Sequence, residues 1–102
     1  MLIHCVFCNI RPDAPRADLA AVYADFASLV GVVPGMLSFQ SGPNRDYENK
    51  SPAHGEGFVV TFTDRAAHLA YDAHPLHQAA GARLCDLCAG GYDGIVVYDL
   101  EV

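Results

Sequence analysis

Residues 58–77 read Phe58-Val59-Val60-Thr61-Phe62-Thr63-Asp64-Arg65-Ala66-Ala67-His68-Leu69-Ala70-Tyr71-Asp72-Ala73-His74-Pro75-Leu76-His77. The first five are apolar or aromatic apart from Thr61, as expected of a strand covered on both faces. Thr63 or Asp64 then stands where a side-chain oxygen can accept from the free N–H groups of a new helix. That helix is expected to run to about Asp72, with Ala66, Leu69, Ala70 and Tyr71 on its inner side. Pro75 disfavours helical geometry at His74 and suits the start of a fresh helix. Leu76, Ala80, Leu84 and Leu87 continue this second segment on one stripe until Gly90-Gly91 ends it.

The neighbouring elements follow outward from this strand and its broken helix. Upstream, Met36, Ser38 and Gln40 alternate with Leu37, Phe39 and Ser41, the period of a strand. Residues 42–57 are polar and rich in turn formers, a long excursion read as a solvated hairpin tip. Leu19, Val22, Tyr23, Phe26, Leu29, Val30 and Val33 recur at three- and four-residue steps, predicting a helix begun at Pro15 and stopped by Pro34-Gly35. Residues 2–10 predict a first strand, with Ile3, Cys5 and Phe7 on one face and Leu2, His4, Val6, Cys8 and Ile10 on the other. Downstream, Tyr92 to Leu100 forms a last strand around Ile95-Val96-Val97.

The order β-α-β-β-α-β is that of an α+β, ferredoxin-like sandwich, a four-stranded antiparallel sheet with its helices on one face. In this chain the opposite face is apolar too. A sheet with two apolar faces and helices for one needs another cover, which a homodimer through the open sheet face supplies.

The totals agree. At 102 residues, 52% of them apolar, residues 1–102 form one domain with more apolar surface than a single small core requires. The net charge of −6 disfavours phosphate backbones and anionic lipid surfaces, so neither nucleic acid nor membrane is an expected partner. No run approaches the ~18 apolar residues of a membrane span. The residues after Met1 lack a basic lead, so the chain reads as cytoplasmic with reduced thiols. Cys5 and Cys8 point to opposite faces of a strand, and Cys85 with Cys88 supplies half a zinc site, so neither metal nor cofactor is expected. His54 and His68 are read as solvent-facing and without a role.

Three stretches together resemble the stress-responsive A/B barrel domain (Dabb) family over nearly the whole chain. They are Ile3-His4-Cys5-Val6-Phe7, Val33-Pro34-Gly35-Met36, and Val60-Thr61-Phe62 followed by Tyr71 and His74-Pro75-Leu76-His77. The resemblance implies a dimeric α+β barrel in which two four-stranded sheets close on each other. Most members have no assigned reaction, and the one well-understood enzyme type is olivetolic acid cyclase, a plant polyketide cyclase. Tyr71 and His77 fall where that cyclase keeps its catalytic tyrosine and histidine, and its pocket aligns with His4, Val6, Tyr23, Phe26, Phe39 and Phe58. Several of these side chains differ in size or polarity, so the cyclase's substrate is not carried over.

The residues themselves permit binding of a small apolar or aromatic carbonyl compound in a helix–sheet cavity and proton abstraction next to its carbonyl. His77 falls in the first turn of the helix begun by Pro75, where the positive end of the dipole keeps the imidazole neutral and able to act as a base. Tyr71 can steady a developing oxyanion by donating its phenol hydrogen, and His74 joins them as a binding residue. The structural alternative is that these side chains only stitch a broken helix to the sheet, in a stress-related dimer whose interior is filled. A third reading, a haem-degrading or quinol-oxidising monooxygenase, rests on analogy of fold alone.

Overall fold

Strand β1 (Leu2–Cys8) lies inside the sheet, antiparallel to a neighbour on each side. Its alternation holds as expected: His4, Val6 and Cys8 are buried, whereas Ile3, Cys5 and Phe7 are partly open. The computed structural model describes residues 1–102, in the order β1, α1 (Arg16–Ala27), β2 (Met36–Pro43), β3 (Glu56–Phe62), α2 (Arg65–Ala73), α3 (Pro75–Leu87) and β4 (Ile95–Glu101). The four strands form one antiparallel sheet ordered β2-β3-β1-β4, which is the ferredoxin-like arrangement. A 3-10 turn at Gly91–Gly94 leads into β4, so that strand starts later than the sequence suggests.

All three helices cover the face bearing His4, Val6 and Cys8. Leu19, Val22 and Phe26 of α1 and Ala80, Leu84 and Leu87 of α3 meet Phe58, Val60 and Phe62 of β3 in one core. Burial of a large apolar side chain stabilises by roughly 1.5–3 kcal/mol, so this layer dominates the fold. On the other face Ile3, Cys5 and Phe7 stand beside Leu100, Tyr98 and Val96 respectively, with no helix above them.

Several local expectations need correction. Helix α1 ends at Ala27, not near Val33, because Ser28 bonds back to the Asp25 carbonyl at 2.7 Å and Gly31 turns left-handed at φ +83°. Leu29 and Val33 remain buried but do so from a turn. In β2 the register shifts between Met36 and Ser38, so Leu37 bulges out. Met36 then pairs with Phe62 and Phe39 with Val60, which turns both toward the core although strict alternation would separate them.

Helix α2 is capped by Asp64, whose carboxylate accepts from the Ala67 N–H at 2.9 Å. Its inner side is Ala67 and Tyr71 with His68, not Ala66, Leu69 and Ala70; Leu69 is 50% exposed. The excursion after β2 has its own order. Asn44 bonds Ser51 and the His54 carbonyl, and Asp46, at φ +46°, accepts from the N–H groups of Lys50 and Ser51. His54 is half-buried there, beside a depression shared with Phe7, Val96 and Tyr98.

Candidate active site

Between α2, α3 and the β1–β4 side of the sheet lies a cavity of about 440 Å³. Val6, Phe26, Phe58, Leu84, Ile95 and Val97 give it apolar walls, and His4, His68, His77, Asp72 and Asp99 converge on it. Two other depressions, of about 340 and 390 Å³, collect no comparable group of imidazoles and carboxylates.

The break at His74-Pro75 positions the centre of this site. His74 adopts extended backbone, and its Nδ1 accepts from the Leu76 N–H at 3.1 Å, capping α3. Its side chain is therefore committed to the helix end, and it is not among the residues lining the cavity. Two residues after Pro75, His77 enters the cavity wall with its side chain 23% exposed.

Nδ1 of His77 lies 3.2 Å from the Asp72 carbonyl. A carbonyl only accepts, so this nitrogen carries the hydrogen and the lone pair resides on Nε2. Asp72 Oδ1 lies 3.8 Å from that Nε2. Burial pulls the His77 pKa below its usual 6.5, opposed by the Asp72 carboxylate and carbonyl. The ring is neutral near pH 7, as the sequence suggests, and burial acts in that direction.

Tyr71 is fully buried one layer behind the wall, its ring centroid 4.3 Å from that of His77. Burial raises its pKa, with the Asp72 carboxylate adding to the effect, so the phenol keeps its hydrogen. Its hydroxyl has no hydrogen-bond partner. A buried donor without an acceptor is costly, and such groups call for an explanation.

His4 is 7% exposed, and its Nδ1 donates to Asp99 Oδ1 at 2.5 Å. Its ring centroid lies 4.4 Å from that of His68, with the two planes tilted at 41°. His68 thus overturns its expected solvent-facing position: its side chain is 13% exposed and lines the cavity. Nε2 of His68 approaches Asp72 Oδ2 at 3.3 Å without the alignment of a hydrogen bond.

Of the residues expected to bind, His4, Val6, Phe26, Phe58 and His77 come together on the cavity. Tyr23 and Phe39 do not; they pack behind, with Tyr23 5.8 Å from Phe58 and Phe39 6.3 Å from Phe26 between ring centroids. Sequence reasoning missed His68, Asp72 and Asp99. The first two had a signal, since His68, Tyr71 and Asp72 share a helix face at three- and four-residue spacing. Asp99 pairs with His4 across β1 and β4, which requires the register to be known.

All four cysteines are free thiols. Cys8 is fully buried, and burial with the neighbouring Cys88 pushes its pKa up to about 12, which makes it an inert core group.

The family model of the stress responsive A/B barrel domain matches residues 2–102. The chain belongs to that family. Among solved structures, this A/B barrel domain is similar to a dimeric ferredoxin-like protein of unknown function from Jannaschia sp. CCS1. The two are 42% identical over 99% of this chain and 98% of the other, with a TM-score of 0.94. Hydroxynitrile lyase from Passiflora edulis shares the fold at 17% identity, covering 99% of this chain and 92% of the lyase, TM-score 0.80. So does a putative antibiotic biosynthesis monooxygenase from Caulobacter crescentus, at 20% identity over 99% and 88% of the two chains, TM-score 0.76. No curated protein matches the sequence. No helix of the A/B barrel domain is long and apolar enough to cross a membrane.

Proposed function

We propose that this A/B barrel domain binds a small apolar or aromatic carbonyl compound in the cavity and converts it by acid–base chemistry without a cofactor. The observation that carries this reading is a neutral His77, its Nε2 free, packed at a tilt against a buried phenol whose hydroxyl has no partner. His77 Nε2 takes a proton from the carbon next to the ligand's carbonyl. The electron pair moves onto the carbonyl oxygen, and the Tyr71 O–H donates to the enolate so formed. Because Tyr71 stands behind the wall, the ligand oxygen must seat between the imidazoles to reach it. A cavity of about 440 Å³ exceeds the ~300 Å³ expected of a ligand pocket, which supports binding over a filled interior.

The functional unit in this reading is a homodimer formed through the open sheet face. Tyr98 and Leu100 there are 64% and 61% exposed, and the Jannaschia relative is dimeric. The monooxygenase reading gains a neighbour of that description, at an identity that carries the fold alone.

An NMR titration of His77 in chelator-treated protein, with and without small aromatic ketones, tests the proposal. The expected results are a midpoint below 6.5 and a ligand that perturbs the His77 ring and the Tyr71 hydroxyl together. A ring that titrates at its ordinary value and ignores every ligand sinks the reading.

A further inference from the structure

Three side chains from three elements meet at one side of the cavity: His4 of β1, His68 of α2 and Asp99 of β4. Two imidazole nitrogens and one carboxylate oxygen lie there within 4.8 Å of one another. We propose that they form a binding site for a divalent transition cation, with its open coordination positions turned toward the cavity.

The donor set suits such an ion, because imidazole suits zinc, copper, iron and nickel, and a carboxylate completes a three-ligand site that leaves room for an exogenous oxygen. His68 supplies an independent sign, its Nε2 being buried without a hydrogen-bond partner although Asp72 Oδ2 is 3.3 Å away. A cation would give the His68 ring the partner it lacks. His4 and Asp99 face each other across the β1–β4 ladder, so most of the geometry is set by sheet register before any ion arrives. Their 2.5 Å contact holds one shared hydrogen. An ion replaces that hydrogen, and the pair opens toward the roughly 3.3 Å separation of two ligands ~2.0–2.1 Å from a tetrahedral centre.

Electrostatics favour the same occupant. Asp72 adds a second carboxylate beside the three ligands, on a chain whose net charge is −6. Asp99, with a side chain 39% exposed, leaves a path in from solvent. The inference stands apart from the proton-transfer role of His77 and Tyr71 and survives its failure.

The test uses the whole chain, freed of metal by a chelator and titrated calorimetrically with Zn²⁺ alone. One ion per chain is expected. Asp99→Asn and His68→Gln should each weaken binding by at least the ~10–100-fold lost when mere outer-shell partners are removed. Tyr71→Phe and Cys85→Ser should leave it unchanged, the first separating this site from the proposed chemistry and the second excluding the thiol on the cavity wall. Absorbance of the unsubstituted protein with Co²⁺ provides a measurement independent of variant folding. Ligand-field bands without a thiolate charge-transfer band are expected. Absence of Zn²⁺ binding, full binding by both Asp99→Asn and His68→Gln, or a thiolate band overturns the proposal.

Discussion

Replacing Tyr71 by Phe should make the protein more stable and less functional. The phenol hydroxyl is buried without a partner, at a side chain with no solvent exposure. An unsatisfied buried polar group costs roughly 1–3 kcal/mol. The substitution removes that cost and leaves a gap the size of one oxygen, worth a few tenths of a kcal/mol at ~24 cal/mol per Å³. The net expectation is stabilisation by about 1–2 kcal/mol, with Tm rising by roughly 4–8 °C per kcal/mol for a domain near this size. Urea denaturation at fixed protein concentration measures it, and the midpoint should rise with an unchanged slope. The same variant should lose ligand perturbation of the site, the trade-off expected where a group is kept for function at the expense of stability. A loss of 1 kcal/mol or more on substitution would mean that the hydroxyl has a partner after all, and the oxyanion-donor argument would fall with it.

Three further outcomes follow from named features. Because burial lowers the His77 pKa, the unfolded chain binds that proton first as pH falls; its contribution to stability is complete above about 6.5 and is lost as pH drops through the depressed value. His77→Gln should flatten this decline in urea midpoints measured across the range, and an unchanged slope would assign the decline to other groups. Gly35→Ala should cost about 2–5 kcal/mol in thermal unfolding, from left-handed strain of ~1–2 and overpacking of ~1–3 kcal/mol. Gly35 sits at φ +85°, and an added Cβ would meet Thr63 Oγ1 at 2.5 Å and Ala67 Cβ at 2.7 Å, so a loss under about 1 kcal/mol would contradict this geometry. Leu100→Asp places a charge on the open sheet face and should yield monomers in sedimentation analysis; a stable dimer would place the interface elsewhere.

The order of elements was legible because periodicity reports which residues share a face. Alternation separates His4, Val6 and Cys8 from Ile3, Cys5 and Phe7, and the fold decides that the first set lies under the helices. The limits of α1 did not follow, because Leu29 and Val33 continue the apolar spacing after the backbone has left the helix. The bulge at Leu37 has no compositional mark; it reveals itself only when Met36 and Phe39 must both reach the core. At the candidate site, Pro75 made the position of His77 readable, while the inner face of α2 was misplaced because part of it is an imidazole. Hydrophobic patterning cannot find a polar residue that faces inward toward other polar groups. Asp99 required knowledge of which residues oppose each other across two strands distant in sequence.

Strand β4 carries this last point further. Its alternate residues belong to different surfaces: Val97 and Asp99 face the cavity, while Val96, Tyr98 and Leu100 face the uncovered side of the sheet. The two sets are one residue apart, so a slip by a single position would send a phenol where the carboxylate stands and a carboxylate toward the uncovered face. The cavity wall and the proposed dimer face are thus written on the same seven residues in opposite phase. Selection acting on one surface has no freedom to move the strand without disturbing the other, and the surest way to retune either is to change side chains while keeping the β1–β4 register fixed.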